Sequence, residues 1–167
     1  MIKLITSLAV GAAMFTAAFA QNSPWPFPGA GPYAFQSEDT DCYISAEGGS
    51  RATANRTVIT DDEKFTTEII SGNTLLIKSV ATGKYLRRLG GGRVKADADH
   101  STTNTAIQWK IERVYYNNTR VTLDGWVIRN VGADFTLQEV GTGAGDLIRA
   151  KKDKTSRSYR WSVVVAR

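Results

Sequence analysis

The densest chemistry in this 167-residue chain is basic. In RAKKDKTSRSYR, at 149–160, Arg149, Lys151, Lys152, Lys154, Arg157 and Arg160 stand against one acid, Asp153. Such a cluster attracts sulfated or carboxylated polysaccharide, nucleic acid or an anionic membrane surface, each contact adding a salt-dependent increment. A strand through Ile148 and Ala150 would turn Arg149 and Lys151 away from the core and leave the other charges on the loop that follows. The same composition also suits a merely solvated loop in a protein of pI about 9.4. Arg87, Arg88, Arg93 and Lys95 form a second basic group, which either extends the first or keeps a glycine-rich edge soluble.

Other reactive residue types are scarce. His100 is the only histidine, in the polar loop DADHSTTNT. Asp97 and Asp99 flank it, but no nucleophile or further ligand stands at a fixed spacing, so the loop reads as solvated. There is no Gly-x-Ser-x-Gly, no phosphate-cradling loop ahead of a helix and no paired metal ligands. Gly90 to Gly92 and the glycines of 141–145 read as turns between strands, and adjacent acids such as Asp61 and Asp62 as turn charges. The expectation is a protein without enzymatic activity, cofactor or metal. Cys42 is the single cysteine, so no intramolecular disulfide can staple the fold, and beside Tyr43 it reads as a small buried hydrophobe.

The elements that position these residues are short strands. TLLIKSVATGKYLRRLGGGRVKAD, at 74–97, contains three apolar runs separated by Ala-Thr-Gly and by a glycine triplet, the pattern of strands joined by glycine turns. It recurs on both sides. Tyr43 precedes Tyr85, and Ala54 precedes Ala96, by 42 residues, while Ile148 and Ala150 follow Val94 and Ala96 by 54. An aromatic closes each copy: Phe65, Trp109, Trp161. WVIRNVGADFTLQEV is a looser echo of LLIKSVATGKYLRRL, which leaves the third register open. A period of roughly 40 to 50 residues means one supersecondary unit repeated, each copy unable to bury its own apolar face. In the second unit WKIERVYYNNTRVTL reads as a hairpin with Asn117-Asn118 at its tip, where Tyr115 and Tyr116 either stack on a sugar ring or pack on a neighbouring hairpin.

G-K-Y-L, then G-x-V-x-A-D, then a closing tryptophan, in three copies, resembles the β-trefoil fold of fascins, fibroblast growth factors and ricin-type lectins. The resemblance covers 33–167 and implies an all-β domain of about twelve strands, with repeats near 33–73, 74–119 and 120–167. A β-sandwich with accidental self-similarity is the alternative fold. Ricin-type lectins carry Gln-x-Trp at the end of each repeat. Here Ile107-Gln108-Trp109, Tyr159-Arg160-Trp161 and Glu63-Lys64-Phe65 occupy those places, so the lectin's sugar-contacting residues do not carry over. Fibroblast growth factors carry a heparin-binding basic patch in the third unit, a placement similar to that of 149–160.

Ahead of the domain, residues 1–20 combine Lys3, an apolar stretch and the ending Ala18-Phe19-Ala20, the pattern of a secretory signal cleaved between Ala20 and Gln21. Its removal takes the net charge from +5 to +4 and leaves no membrane-embedded segment. Residues 21–32 hold all four prolines with Trp25 and Phe27 between them, an extended arm whose rings lie against the barrel or serve recognition. In a secreted chain Asn55-Arg56-Thr57 and Asn117-Asn118-Thr119 are sequons for glycans on Asn55 and Asn117. The sequence therefore points to an extracellular binding protein for glycans or anionic polysaccharide, with nucleic acid not expected as a partner. The alternative is a trefoil inhibitor of an extracellular protease, presenting Lys154 or Arg157 from a loop to a trypsin-like pocket.

Overall fold

Local patterning and three-fold repetition together dictate the architecture in the computed structural model, which describes residues 26–27, 31–49, 51–115, 123–141, 146–152 and 156–167. Ala20, Gln21, Asn117 and Lys154 lie outside the described residues. The described residues form twelve strands in one continuously paired sheet and no α-helix. The first unit contributes β1 (Tyr33–Ser37), β2 (Tyr43–Ser45), β3 (Thr53–Arg56) and β4 (Phe65–Ser71). The second gives β5 (Thr74–Ser79), β6 (Tyr85–Arg88), β7 (Val94–Ala98) and β8 (Gln108–Tyr115). The third gives β9 (Leu123–Asn130), β10 (Phe135–Val140), β11 (Asp146–Lys152) and β12 (Trp161–Val165).

Antiparallel pairing runs β1-β4-β5-β8-β9-β12 and returns to β1, a closed six-stranded barrel in which no member is left as a wholly free edge. The remaining strands form three hairpins, β2-β3, β6-β7 and β10-β11, that cap one end of it. The hairpins meet one another by short bridges: Leu147 opposite Thr53 in β3-β11, Arg51 opposite Lys95, and Arg93 opposite Arg149. Ala52 N–H donates to Val94 O at 2.9 Å and Ile148 N–H to Ala52 O at 3.0 Å, which closes the cap around one axis.

Equivalent positions of the three units fill one core. Phe35, Ile77 and Ile128 lie there with Ile44, Leu86 and Leu137, and with the alanines at 54, 96 and 150. Phe65, Trp109 and Trp161 are fully buried in the same cluster, as the repeat pattern requires. Each such ring contributes on the order of 2–3 kcal/mol by leaving water. The indoles also need partners: Trp109 Nε1–H donates to Leu86 O at 2.8 Å and Trp161 Nε1–H to Leu137 O at 3.3 Å. Small alanines at the axis let the hairpins approach. Gly92, at φ +74°, approaches closest, because a Cβ there would collide with the carbonyl oxygen of Ala150.

Two local features add to the sequence reading. The second strand of the hairpin after Trp109 is β9, which continues through WVIRN, so this hairpin joins the second unit to the third. The link at 60–63 is not simply polar. A 3-10 turn, Asp61–Glu63, buries Glu63 completely at the position that Ile107 and Tyr159 take in the other units. Thr60 supports that carboxylate with its N–H at 2.8 Å and its hydroxyl at 2.6 Å. Cys42 is buried in the core cluster, and Phe27 of the proline-rich arm packs edge-on against Tyr33, ring centroids 4.8 Å apart.

Candidate anion-binding face

β11 shows the alternation that its sequence suggests. Ile148 and Ala150 are buried, Arg149 is half-buried and Lys151 exposed, so both cations face out. Lys152 continues the strand and is not on a loop. The 3-10 turn Arg157–Tyr159 packs beside β10, where Gln138 Nε2–H donates to Ser158 Oγ at 3.2 Å, and Gln138 itself sits opposite Arg149. Arg157 is exposed on that turn, which a contact between Ser156 Oγ and Ser158 Oγ at 3.0 Å tightens. A protease cleft takes its bound segment extended, and this turn is not. Arg160 departs from the group: it is half-buried, its carbonyl accepts from Glu38 N–H at 3.0 Å, and its Cβ lies beside Gly125.

What the third unit alone does not reveal is the neighbour of Arg149. The bridge between hairpins sets Arg93 directly opposite it, and the bridge from Arg51 reaches Lys95, two residues along from Arg93. Buried Ala52, Val94, Ala96, Ile148 and Ala150 alternate with these positions, so Arg51, Lys95, Arg93, Arg149 and Lys151 all project from the outer face of the cap. Opposite residues in antiparallel pairs have Cα atoms about 5 Å apart and residues two along a strand about 7 Å apart, so the five cations follow one another in an unbroken stripe. Among the described residues none of the five makes a salt bridge. Arg93 Nε–H donates to Gly90 O at 3.1 Å, which fixes its stem over the glycine turn. Like charges set opposite each other in a sheet cost a few tenths of a kcal/mol, roughly, per pair.

One acid touches the stripe's edge. Asp97 accepts from Arg87 Nε at 2.5 Å and Nη2 at 3.0 Å, a two-pronged pair. Those bonds hold the Asp97 carboxyl below its usual range against the opposing effect of partial burial, and Lys95 adds a smaller push in the same direction. Arg87 is thereby occupied. Arg88 is directed elsewhere, its Nε–H donating to Asn130 Oδ1 at 3.2 Å and its guanidinium lying 5.7 Å from the Phe135 ring centroid. Sequence reading missed Arg51, although it lies one repeat ahead of Arg93 at the same 42-residue offset as Ala54 and Ala96.

The remaining sequence candidates are dispersed. His100 Nε2 lies 3.0 Å from Glu68 Oε1 on a half-exposed surface and its ring meets Tyr85 edge-on, 5.5 Å between centroids. Asp99 instead pairs with Lys84 at 2.6 Å. Asn55 Nδ2 donates to Glu47 Oε1 at 3.2 Å, so a glycan on that nitrogen would displace this bond.

No protein-family model matches the sequence, and no curated protein does. Solved structures do resemble it. A designed three-fold symmetric protein, ThreeFoil, superposes with TM-score 0.68 at 13% identity, over 80% of this chain and 98% of that one. A Polyporus squamosus lectin, solved bound to a sialylated epitope, gives 0.67 at 16% identity, over 82% of this chain and 49% of the lectin. A salivary protein from Culex quiquefasciatus, of a cysteine- and tryptophan-rich family, gives 0.60 at 20%, over 85% and 98%. This chain thus spans about half of the lectin and nearly all of the other two. Likeness at such identities speaks to the fold alone, and with the barrel, the three-hairpin cap and the three closing aromatics it establishes that this chain is a β-trefoil.

Proposed function

We propose that this β-trefoil is a non-enzymatic glycan-binding protein that takes anionic polysaccharide on the outer face of its cap, and that residues 1–20 direct it out of the cell. The observation that carries the reading is the run of five outward cations with no salt bridge among the described residues. Exposed charges that a fold neutralises internally are poor ligand sites; these are left to a partner. Lectins among the structural relatives make sugar binding an ordinary use of the scaffold, although a fold by itself hosts many functions. The site is shallow and lies on strands, which suits a polymer lying across it better than a small molecule needing enclosure.

A glycan array probed at low and at high ionic strength tests the reading. Binding concentrated on sulfated or carboxylated glycans and abolished by salt is the expected result, since screening acts on exposed charges. Binding to neutral sugars that survives high salt would move the site off the cap. Stoichiometric inhibition of trypsin or subtilisin, lost in Arg157→Ala, would replace this reading with that of a protease inhibitor.

A further inference from the structure

The pseudo-symmetry of the cap separates what the fold requires from what it carries. Three hairpins meet pairwise at equivalent positions, and those positions hold Arg51 opposite Lys95, Arg93 opposite Arg149, and Thr53 opposite Leu147. The third pair is uncharged. The junction therefore closes without cations, and two of its three sides carry like charges face to face although that arrangement opposes closure. Gly92 brings the hairpin bearing Arg93 against the backbone at Ala150, next to Arg149, so this proximity is built into the main chain.

We infer that the two charged sides of the cap form a site for tetrahedral oxyanion esters, sulfate or phosphate monoester, assembled from all three repeats and centred on Arg51, Lys95, Arg93 and Arg149. It rests on the glycan reading only for the molecule that carries the ester. Three of the four groups are guanidinium forks, which match oxyanions with paired N–H donors. A carboxylate offers two coplanar oxygens and is satisfied by one fork. A monoester offers three terminal oxygens in different directions and can accept from cations on both sides of a bridge about 5 Å wide. A nucleic-acid phosphodiester has only two free oxygens and gains less. The stripe continues to Lys151, where a polymer leaves the centre.

The experiment compares wild-type protein with Arg51→Ala, Arg93→Ala, their double variant and Lys151→Ala. Sulfated dextran, phosphorylated mannan, plain dextran and single-stranded DNA serve as polymers, and sodium sulfate against sodium chloride as the free ion. Removing Arg51 or Arg93 relieves a face-to-face repulsion, which offsets the exposed bond from Arg93 to Gly90 O, and Lys151 is exposed, so the variants should melt close to wild type, which keeps the comparison free of folding failure. Expected are binding of an ester polymer weakened about 3- to 10-fold by Arg51→Ala and by Arg93→Ala, and less by Lys151→Ala. Sulfate should raise the wild-type melting temperature saturably, and only its general, non-saturating effect should remain in the double variant. Preference between sulfated dextran and phosphorylated mannan identifies the ester. Unchanged ester binding in Arg51→Ala and Arg93→Ala overturns the composite site, even where glycan binding itself persists. Equal affinity for DNA at matched salt overturns the ester preference. Saturable sulfate binding without binding of any polymer removes the glycan reading and leaves the site standing.

Discussion

At the scale of single residues, Asp97 decides how much positive charge the cap presents. Its carboxylate occupies Arg87, and its pKa is lowered first by that hydrogen-bonded pair. A depressed carboxylate pKa contributes stability above its unfolded value of about 3.9, and the contribution is lost as pH falls through the lower folded value. Both partners are partly exposed, so the effect is modest. Asp97→Asn should therefore lower stability at pH 7 by at most about 1 kcal/mol. Urea midpoints should show the gap from wild type closing as the pH drops below the carboxylate range. The same variant frees Arg87, and ester polymer should bind it more tightly, with a salt slope steeper by up to about one unit. A variant that binds more weakly would mean that Arg87 faces away from the ligand. Gly92 is the other single position of consequence. Gly92→Ala combines positive φ with a collision at Ala150 O, and should cost on the order of 1–3 kcal/mol by denaturant unfolding while displacing Arg93 from Arg149.

At the scale of elements, each unit ends by the same device, a 3-10 turn that lowers one residue into the core just before the closing aromatic. Trp109 and Trp161 bond the first strand of the cap hairpin, β6 at Leu86 O and β10 at Leu137 O, through their indole nitrogens, whereas Phe65 has no such donor. Trp109→Phe and Trp161→Phe should each cost about 1–3 kcal/mol, from a lost hydrogen bond plus a small void. Comparable losses of melting temperature for the two would reflect the pseudo-symmetry; a loss at only one would deny it. These aromatics were legible in sequence because their spacing depends on chain length within a unit. The third register was not, since its landmarks lie at three offsets. Leu75 and Leu86 recur 51 residues on, at Trp126 and Leu137, while Val94 recurs 54 on, at Ile148. The three additional residues lie between Leu137 and Ile148, where they lengthen β10 and β11, and Trp161 then follows Trp109 by 52, so the match is broken twice. Glu63 escaped notice because a fully buried acid looks in sequence like any turn charge until Thr60 is seen beneath it.

At the scale of the whole molecule, the stripe exists only because the three hairpins close around an axis. Arg51 and Arg149 stand 98 positions apart in the chain, and no local pattern joins them. Four of the five cations were readable, Arg149 and Lys151 from alternation in one strand, and Arg93 and Lys95 as a basic group that either extends the first or keeps a glycine-rich edge soluble. That these stand side by side, and that Arg51 joins them, depends on contacts between repeats, and so does the separation of Arg160 from the group. Export belongs to this scale as well: protein collected from the medium of a secreting host should begin at Gln21 by N-terminal sequencing, and an intact Met1 would contradict the proposed signal. The central claim is met most directly by backbone amide chemical shifts recorded while a size-defined sulfated oligosaccharide is added at low salt. The largest displacements should fall together at residues 51, 93, 95, 149 and 151. Displacements confined to 156–160, or none at saturating ligand, would contradict a binding face built from all three repeats.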